Sequence, residues 1–268
     1  MASATIRGPD SAIRLLSAGA GLVHSAVLAD SGVEHYRGSF RNPAMLLPLA
    51  TSTVNIAIDC TRLVDARGAS DSGFRLAGQG GAMAVGLIGM GFHLFNIGKR
   101  PGGFGWGNLF HAAPIGAPAA LVLAGALGAA ADRAHGPIIF NGRAVGALCA
   151  AGIMGTAAEA ALLHFRGAFQ NPAMWLPVAV PPIAAASLAI DAVAGRARPT
   201  TAALLIVTAA LGFAGAAFHA YGVSRRMGGW RNWRQNILAG PPLPAPAAFT
   251  GLAVAGLGAL RLIGGARG

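Results

Sequence analysis

The chain has 268 residues, of which 54% are hydrophobic and only 11% charged. Soluble domains carry about 25% charged residues, so the charges here are too few to coat a water-facing surface. The net charge of +11 comes from 19 arginines and Lys99 against nine acids, placed mostly between apolar runs, which points to anionic lipid headgroups and not to nucleic acid.

A spanning helix needs about 20 mainly apolar residues. Such runs occur in chain order at 12–35, 43–64, 76–98, 112–131, 144–165, 172–194, 200–223 and 245–264. Arg14, His24 and Asp30 interrupt the first, and Asp59 and Arg62 close the second beside what reads as an interfacial salt bridge. The third is the cleanest, with no formal charge between Arg75 and Lys99. Asp191 closes the sixth beside Arg196 in the same manner as Asp59 beside Arg62. Ser17 to Ala29 followed by Asp30 has the form of a signal-peptide core, but the stretch has a counterpart deep inside the chain, which no signal peptide needs. The runs are too long and too rich in alanine to alternate as barrel strands do. Forty glycines suit close helix packing in lipid. Cys60 and Cys149 fall in different runs without ligand spacing and read as packing residues.

Two blocks recur in order, and an internal repeat fixes architecture before any single motif does. His35-Tyr36-Arg37-Gly38-Ser39-Phe40-Arg41-Asn42-Pro43-Ala44-Met45 returns 129 residues later as His164-Phe165-Arg166-Gly167-Ala168-Phe169-Gln170-Asn171-Pro172-Ala173-Met174. Phe92-His93, Lys99-Arg100 and Gly102-Gly103 return 126 residues later as Phe218-His219, Arg225-Arg226 and Gly228-Gly229. Asn108, Pro114 and Ala117-Pro118 reappear as Asn236, Pro242 and Ala245-Pro246. The expected fold is therefore an all-α polytopic membrane protein of about eight transmembrane helices, built as two parallel four-helix repeats over 1–136 and 137–268. With an even number of helices per unit, both units enter and leave on one side, so every matched motif emerges on one membrane face. That face carries nine basic residues and the rest of the chain eleven, so the positive-inside rule sets no orientation.

Asn42-Pro43 and Asn171-Pro172 have helix-start chemistry, since Asn caps free N–H groups and Pro at the first helical position loses no hydrogen bond. A helix start also favours anions, so Arg37 with Asn42, and Arg166 with Asn171, are candidate anion-binding groups. Lys99-Arg100 and Arg225-Arg226 follow the third helix of each unit, where cations complement the macrodipole and meet lipid phosphates or an anionic substrate. Phe104, Trp106, Trp230 and Trp233 read as interfacial aromatics.

His35 and His93 in one unit, and His164 and His219 in the other, end helices of a common bundle. Two imidazoles from facing helices are a means of holding haem b, so these four are candidate cofactor ligands, set against a simpler role of bonding loop carbonyls. Asp30 and Glu159 correspond, each five residues before a matched histidine and just inside the apolar zone, where a carboxyl group marks a proton or ion path. The expected partners are His93 or Arg37 for Asp30, and His219 or Arg166 for Glu159.

Three functional classes follow. The first is a redox subunit binding haem b or a quinone and exchanging electrons with a partner protein. The second is a transporter or carrier of a small anionic or lipid-like substrate, and the third a non-catalytic anchor or assembly subunit. A bacterial cytoplasmic membrane is the expected location. No G-x-S-x-G elbow is present to suggest a hydrolase.

Overall fold

The computed structural model describes residues 9–66, 72–111, 114–133 and 141–265. Ten α-helices follow one another, with no strand among the described residues: α1 (Pro9–Arg37), α2 (Leu47–Val64), α3 (Ser72–Gly98), α4 (Trp106–His111), α5 (Gly116–Arg133), α6 (Gly142–Arg166), α7 (Leu176–Ala194), α8 (Pro199–Ser224), α9 (Trp233–Leu238) and α10 (Ala247–Gly265). Single 3-10 turns at Pro43–Leu46 and Pro172–Trp175 lead into α2 and α7. The expected unit boundary at 136–137, and the first two residues of the run 112–131, lie outside the described residues.

Seven of these helices are long and apolar enough to cross a membrane: α1, α2 with its leading turn, α3, α6, α7 with its turn, α8 and α10. The chain thus has the build of an integral membrane protein. The interrupted first two runs are among the seven. The remaining run, 112–131, gives α5, 18 residues ending on Asp132-Arg133, whose stretch from Leu121 to Ala131 is largely buried. At a rise of 1.5 Å per residue it is close to the ~30 Å of a hydrocarbon core, although its charged end lowers its hydropathy.

α1, α2, α3 and α5 pack in a ring, each against the next, and α6, α7, α8 and α10 do the same. The two rings join through α1 on α10, with α5 touching α6 more lightly. Small residues permit the α1–α10 contact. A Cβ on Gly19 would stand 2.5 Å from the Gly251 carbonyl oxygen, and one on Gly251 would stand 2.8 Å from that of Gly19. Close backbone approach is what drives association where lipid is as apolar as the side chains. The outer helices expose large apolar side chains, including Leu87, Ile88 and Phe95 on α3, Ile183 and Val193 on α7, and Ile206 and Phe213 on α8. In water such continuous apolar surface invites association, whereas lipid is its proper solvent.

Candidate functional site

Side-chain contacts gather the four motif segments at one end of the bundle. Arg234 donates to the Tyr36 hydroxyl at 2.6 Å, and Arg37 reaches the Ile237 carbonyl at 3.5 Å. In the other pairing, Phe110 stands edge-on to Phe165 at 6.1 Å, with the Arg166 guanidinium 5.6 Å from the Phe110 ring centre. The segment after α8 thus meets the end of α1, and the segment after α3 meets the end of α6.

The four histidines bond backbone carbonyls through Nδ1. His35 donates to Met45 at 2.7 Å and His164 to Met174 at 2.8 Å, while His93 and His219 donate to Pro114 and Pro242, both at 2.6 Å. A carbonyl only accepts, so Nδ1 carries the proton and, in the neutral ring, Nε2 keeps a lone pair. His35 and His164 tie the ends of α1 and α6 to the turns that lead into α2 and α7, while His93 and His219 tie α3 and α8 to the segments ahead of α5 and α10. His35 also lies within electrostatic reach of His93, and His219 of His164.

The asparagines are local fasteners. Asn42 Oδ1 accepts from Ala44 N and Asn171 Oδ1 from Ala173 N, both at 2.9 Å, ahead of Pro43 and Pro172. Asn108 donates to the carbonyls of Pro101 and Gly103, and Asn236 to those of Met227 and Gly229, pinning the loops that follow Lys99-Arg100 and Arg225-Arg226. Ser39, Phe40, Ala168 and Phe169 all take left-handed backbone angles, φ 59°, 46°, 55° and 46°. That conformation costs about 1–2 kcal/mol per non-glycine residue and persists only where surroundings impose it.

The cations and acids divide by partner. Arg37 is paired with Glu34, Lys99 lies over the Phe95 ring and Arg225 over that of Tyr221, while Arg100 and Arg226 are exposed. Asp30 lies within electrostatic reach of Glu34, Glu159 and Arg37, while the ion pair of Arg37 is with Glu34. Glu159 meets neither His219 nor Arg166 among its described bonds. Its carboxylate instead occupies the start of α5, accepting from the Gly116 N–H, where a Cβ would stand 1.8 Å from Oε2. The free N–H groups at that helix end carry the positive end of the helix dipole and are its natural counterpart.

The most elaborate polar arrangement lies elsewhere, inside the ring of α1, α2, α3 and α5, and corrects the salt-bridge expectation for Asp59. That residue is 2% exposed and far from any interface chemistry with Arg62. His24 Nδ1 meets its Oδ2 at 3.0 Å, and Gln79 Nε2 donates to its Oδ1 at 2.9 Å. Arg62 instead bonds Asp132 at 2.6 Å, which also takes Arg75 at 2.8 Å, all three buried. Asp191 likewise pairs with Arg198 and not with Arg196. On α2, Ser52, Asn55, Asp59 and Arg62 are all buried, while Leu47, Val54 and Val64 are exposed. Their spacing of three, four and three residues is one helix face, so α2 turns its polar stripe inward over about 15 Å.

Five buried polar atoms in this interior have no partner among the described residues: Ser17 Oγ, His24 Nε2, Ser52 Oγ, Asn55 Oδ1 and Gln79 Oε1. All lie on α1, α2 or α3. A buried polar group without a partner costs about 1–3 kcal/mol, so a run of them asks for a functional reason.

The matched positions of the other ring carry no counterpart of the His24–Asp59–Gln79 cluster. Opposite His24, Asn55, Asp59, Gln79 and Asp132 stand Ile153, Ala184, Leu188, Leu205 and Leu260, all buried. The packing corresponds as well as the alignment. A Cβ on Gly128 would meet the Gln79 amide, and one on Gly256 would meet Leu205 and Leu188. Read in sequence, His24 and Asp59 were blemishes in weak spans. The usable signal was the helical spacing of the α2 stripe and the replacement of its Asn55 and Asp59 by alanine and leucine 129 residues on.

No family model, curated protein or solved structure matches the chain.

Proposed function

We propose that the chain is a membrane transport protein that passes protons through its first four-helix unit. In this reading the chain forms two parallel four-helix repeats with α5 as an eighth span, sits in a bacterial cytoplasmic membrane, and has units divided near residues 136 and 137. The observation that carries it is the buried His24–Asp59–Gln79 cluster on an inward polar stripe, flanked by unpartnered polar atoms. Ionisable groups in a spanning segment are costly and mark ion paths or proton relays. Imidazole suits a relay because it takes a proton on one nitrogen and gives it from the other. Close packing favours the proton over a larger solute, since Cβ atoms on Gly78 and Gly128 would stand only 2.5 and 2.2 Å from Ile58 and Gln79. Asp30 and Glu159 lie toward the motif end, in line with an acidic entry to such a path.

The test is proton uptake into proteoliposomes carrying a pH-sensitive dye, driven by a potassium diffusion potential. Wild-type protein is expected to accelerate uptake over empty vesicles, and Asp59→Asn to abolish the acceleration. Wild-type flux equal to that of empty vesicles overturns the reading.

A second reading rests on the histidine tautomers. With Nδ1 donated to a carbonyl, each Nε2 is the atom that ligates iron, and such a carbonyl bond orients metal-bound histidines. Haem b held by His35 with His93, or His164 with His219, or a quinone at the same end serving a redox partner protein, would fit that arrangement. The reduced-minus-oxidised spectrum of purified protein decides it: haem bands lost in His93→Ala support it, and their absence together with absence of extractable quinone removes it. Loss of both proton flux and spectrum leaves the anchor or assembly role.

A further inference from the structure

The sequence places matched basic pairs in both units, which predicts two equivalent anion sites. The structure makes the two ends unequal. An open cleft of about 790 Å³ at the motif end of the first unit is lined by Gly38, Arg41, Asn96, Lys99 and Arg100. Three cations and a carboxamide converge there, and no acid lines the cleft. Arg37, the nearest other arginine in sequence, is already held by Glu34. Arg41 and Arg100 make no side-chain hydrogen bond or ion pair among the described residues.

The walls of the cleft are fixed. Ser39 and Phe40, held in left-handed conformation, set the turn from which Arg41 follows. Gly102 and Gly103, at φ 86° and 54°, turn the chain behind Lys99-Arg100, and Asn108 pins that turn with two bonds. Like charges held together without a counter-charge repel, and an anion bound between them removes that cost. Guanidinium groups offer paired N–H donors that match phosphate oxygens, and lysine adds a point charge. Lys99 and Arg100 directly follow α3, at the same end of the bundle as His35 and His93.

The matched positions of the second unit lack two of these groups. Arg41 corresponds to Gln170 and Asn96 to Gly222, leaving only Arg225 and Arg226. A second cleft lies along α9 and is lined by Asn232, Arg234, Gln235, Leu238 and Ala239. We infer that the first unit binds one phosphate-bearing anion per chain between Arg41, Asn96, Lys99 and Arg100, and that the second unit does not. The source is an anionic phospholipid headgroup or free phosphate, and both present the same group to the same side chains. This inference does not depend on proton passage, since its readout is binding and not flux.

The experiment uses the full chain in nanodiscs of zwitterionic lipid. One arm titrates spin-labelled phosphatidylglycerol into the disc and counts the immobilised lipid. The other titrates inorganic phosphate by calorimetry in phosphate-free buffer. One saturable site per chain in the first arm assigns a lipid headgroup, and one in the second assigns a free anion. The second unit supplies the substitutions. Arg41→Gln with Asn96→Gly is expected to weaken binding about ten-fold or more, the scale of one lost charge-assisted hydrogen bond. Gln170→Arg with Gly222→Asn is expected to raise the stoichiometry from one to two, and the Cβ of the new asparagine meets nothing closer than 3.5 Å. Zero or two sites in the unaltered chain, or unchanged affinity in the Arg41/Asn96 double variant, overturns the inference.

Discussion

Asp132→Asn is expected to lower the unfolding free energy by about 3–5 kcal/mol, the range seen when one partner of a buried ion group is removed. Asp132 Oδ1 takes both Arg62 at 2.6 Å and Arg75 at 2.8 Å, and the carboxylate is 1% exposed. Asparagine keeps the shape but leaves two guanidinium groups side by side in an apolar interior with no opposing carboxylate on α5. Arg62 keeps its bond to the Ala66 carbonyl, which does not offset a charge. The measurement is reversible unfolding in mixed micelles titrated with SDS. A loss below about 1 kcal/mol, the scale of a solvated pair, would mean that water reaches these ions and that the interior is wet at that end.

The second large effect separates fold from function. The combined exchange His24→Ile, Asp59→Leu and Gln79→Leu installs in the first ring the residues found at the matched positions of the other. Replacing a buried ionic cluster by well-packed apolar residues is neutral or stabilising by about 1–4 kcal/mol. Leu188 and Leu205 already pack against Gly256 at the positions matching Asp59, Gln79 and Gly128, so the space accepts them. Stability in the same micelle titration is therefore expected to hold or rise, while proton uptake falls to that of empty vesicles. Retained uptake would place conduction outside this cluster. A collapse of stability would instead make the polar groups part of what holds the ring together.

The membrane-spanning character was legible because it rests on run length and composition, which survive any detail of packing. Single-residue fasteners were legible too, since Asn42 before Pro43 and Asn171 before Pro172 act within three residues of themselves. What escaped was pairing across helices. Glu159 reaches the start of α5 at Gly116, and Arg62 reaches Asp132 on α5, because the helix ring brings together residues far apart in sequence. Asp59 beside Arg62 looks like a salt bridge in sequence, and the two do share a helix face, but His24 and Gln79 take the carboxylate while Asp132 takes the guanidinium. The polar stripe of α2 was hidden by averaging: a hydropathy window registers how apolar a helix is, not which side of it faces lipid.

The clasp of α1 with α10 bears on how the protein is made. Helices enter the bilayer in order of synthesis, so α1 waits with Gly19 bare to lipid while more than two hundred residues are added. Its groove closes only when Gly251 and Ala255 arrive, which makes final assembly a late, long-range event, and contacts of that kind form slowly. Ribosome stalling before α10 would strand a nascent chain whose earliest span still lacks its α10 neighbour and is open to quality-control proteases.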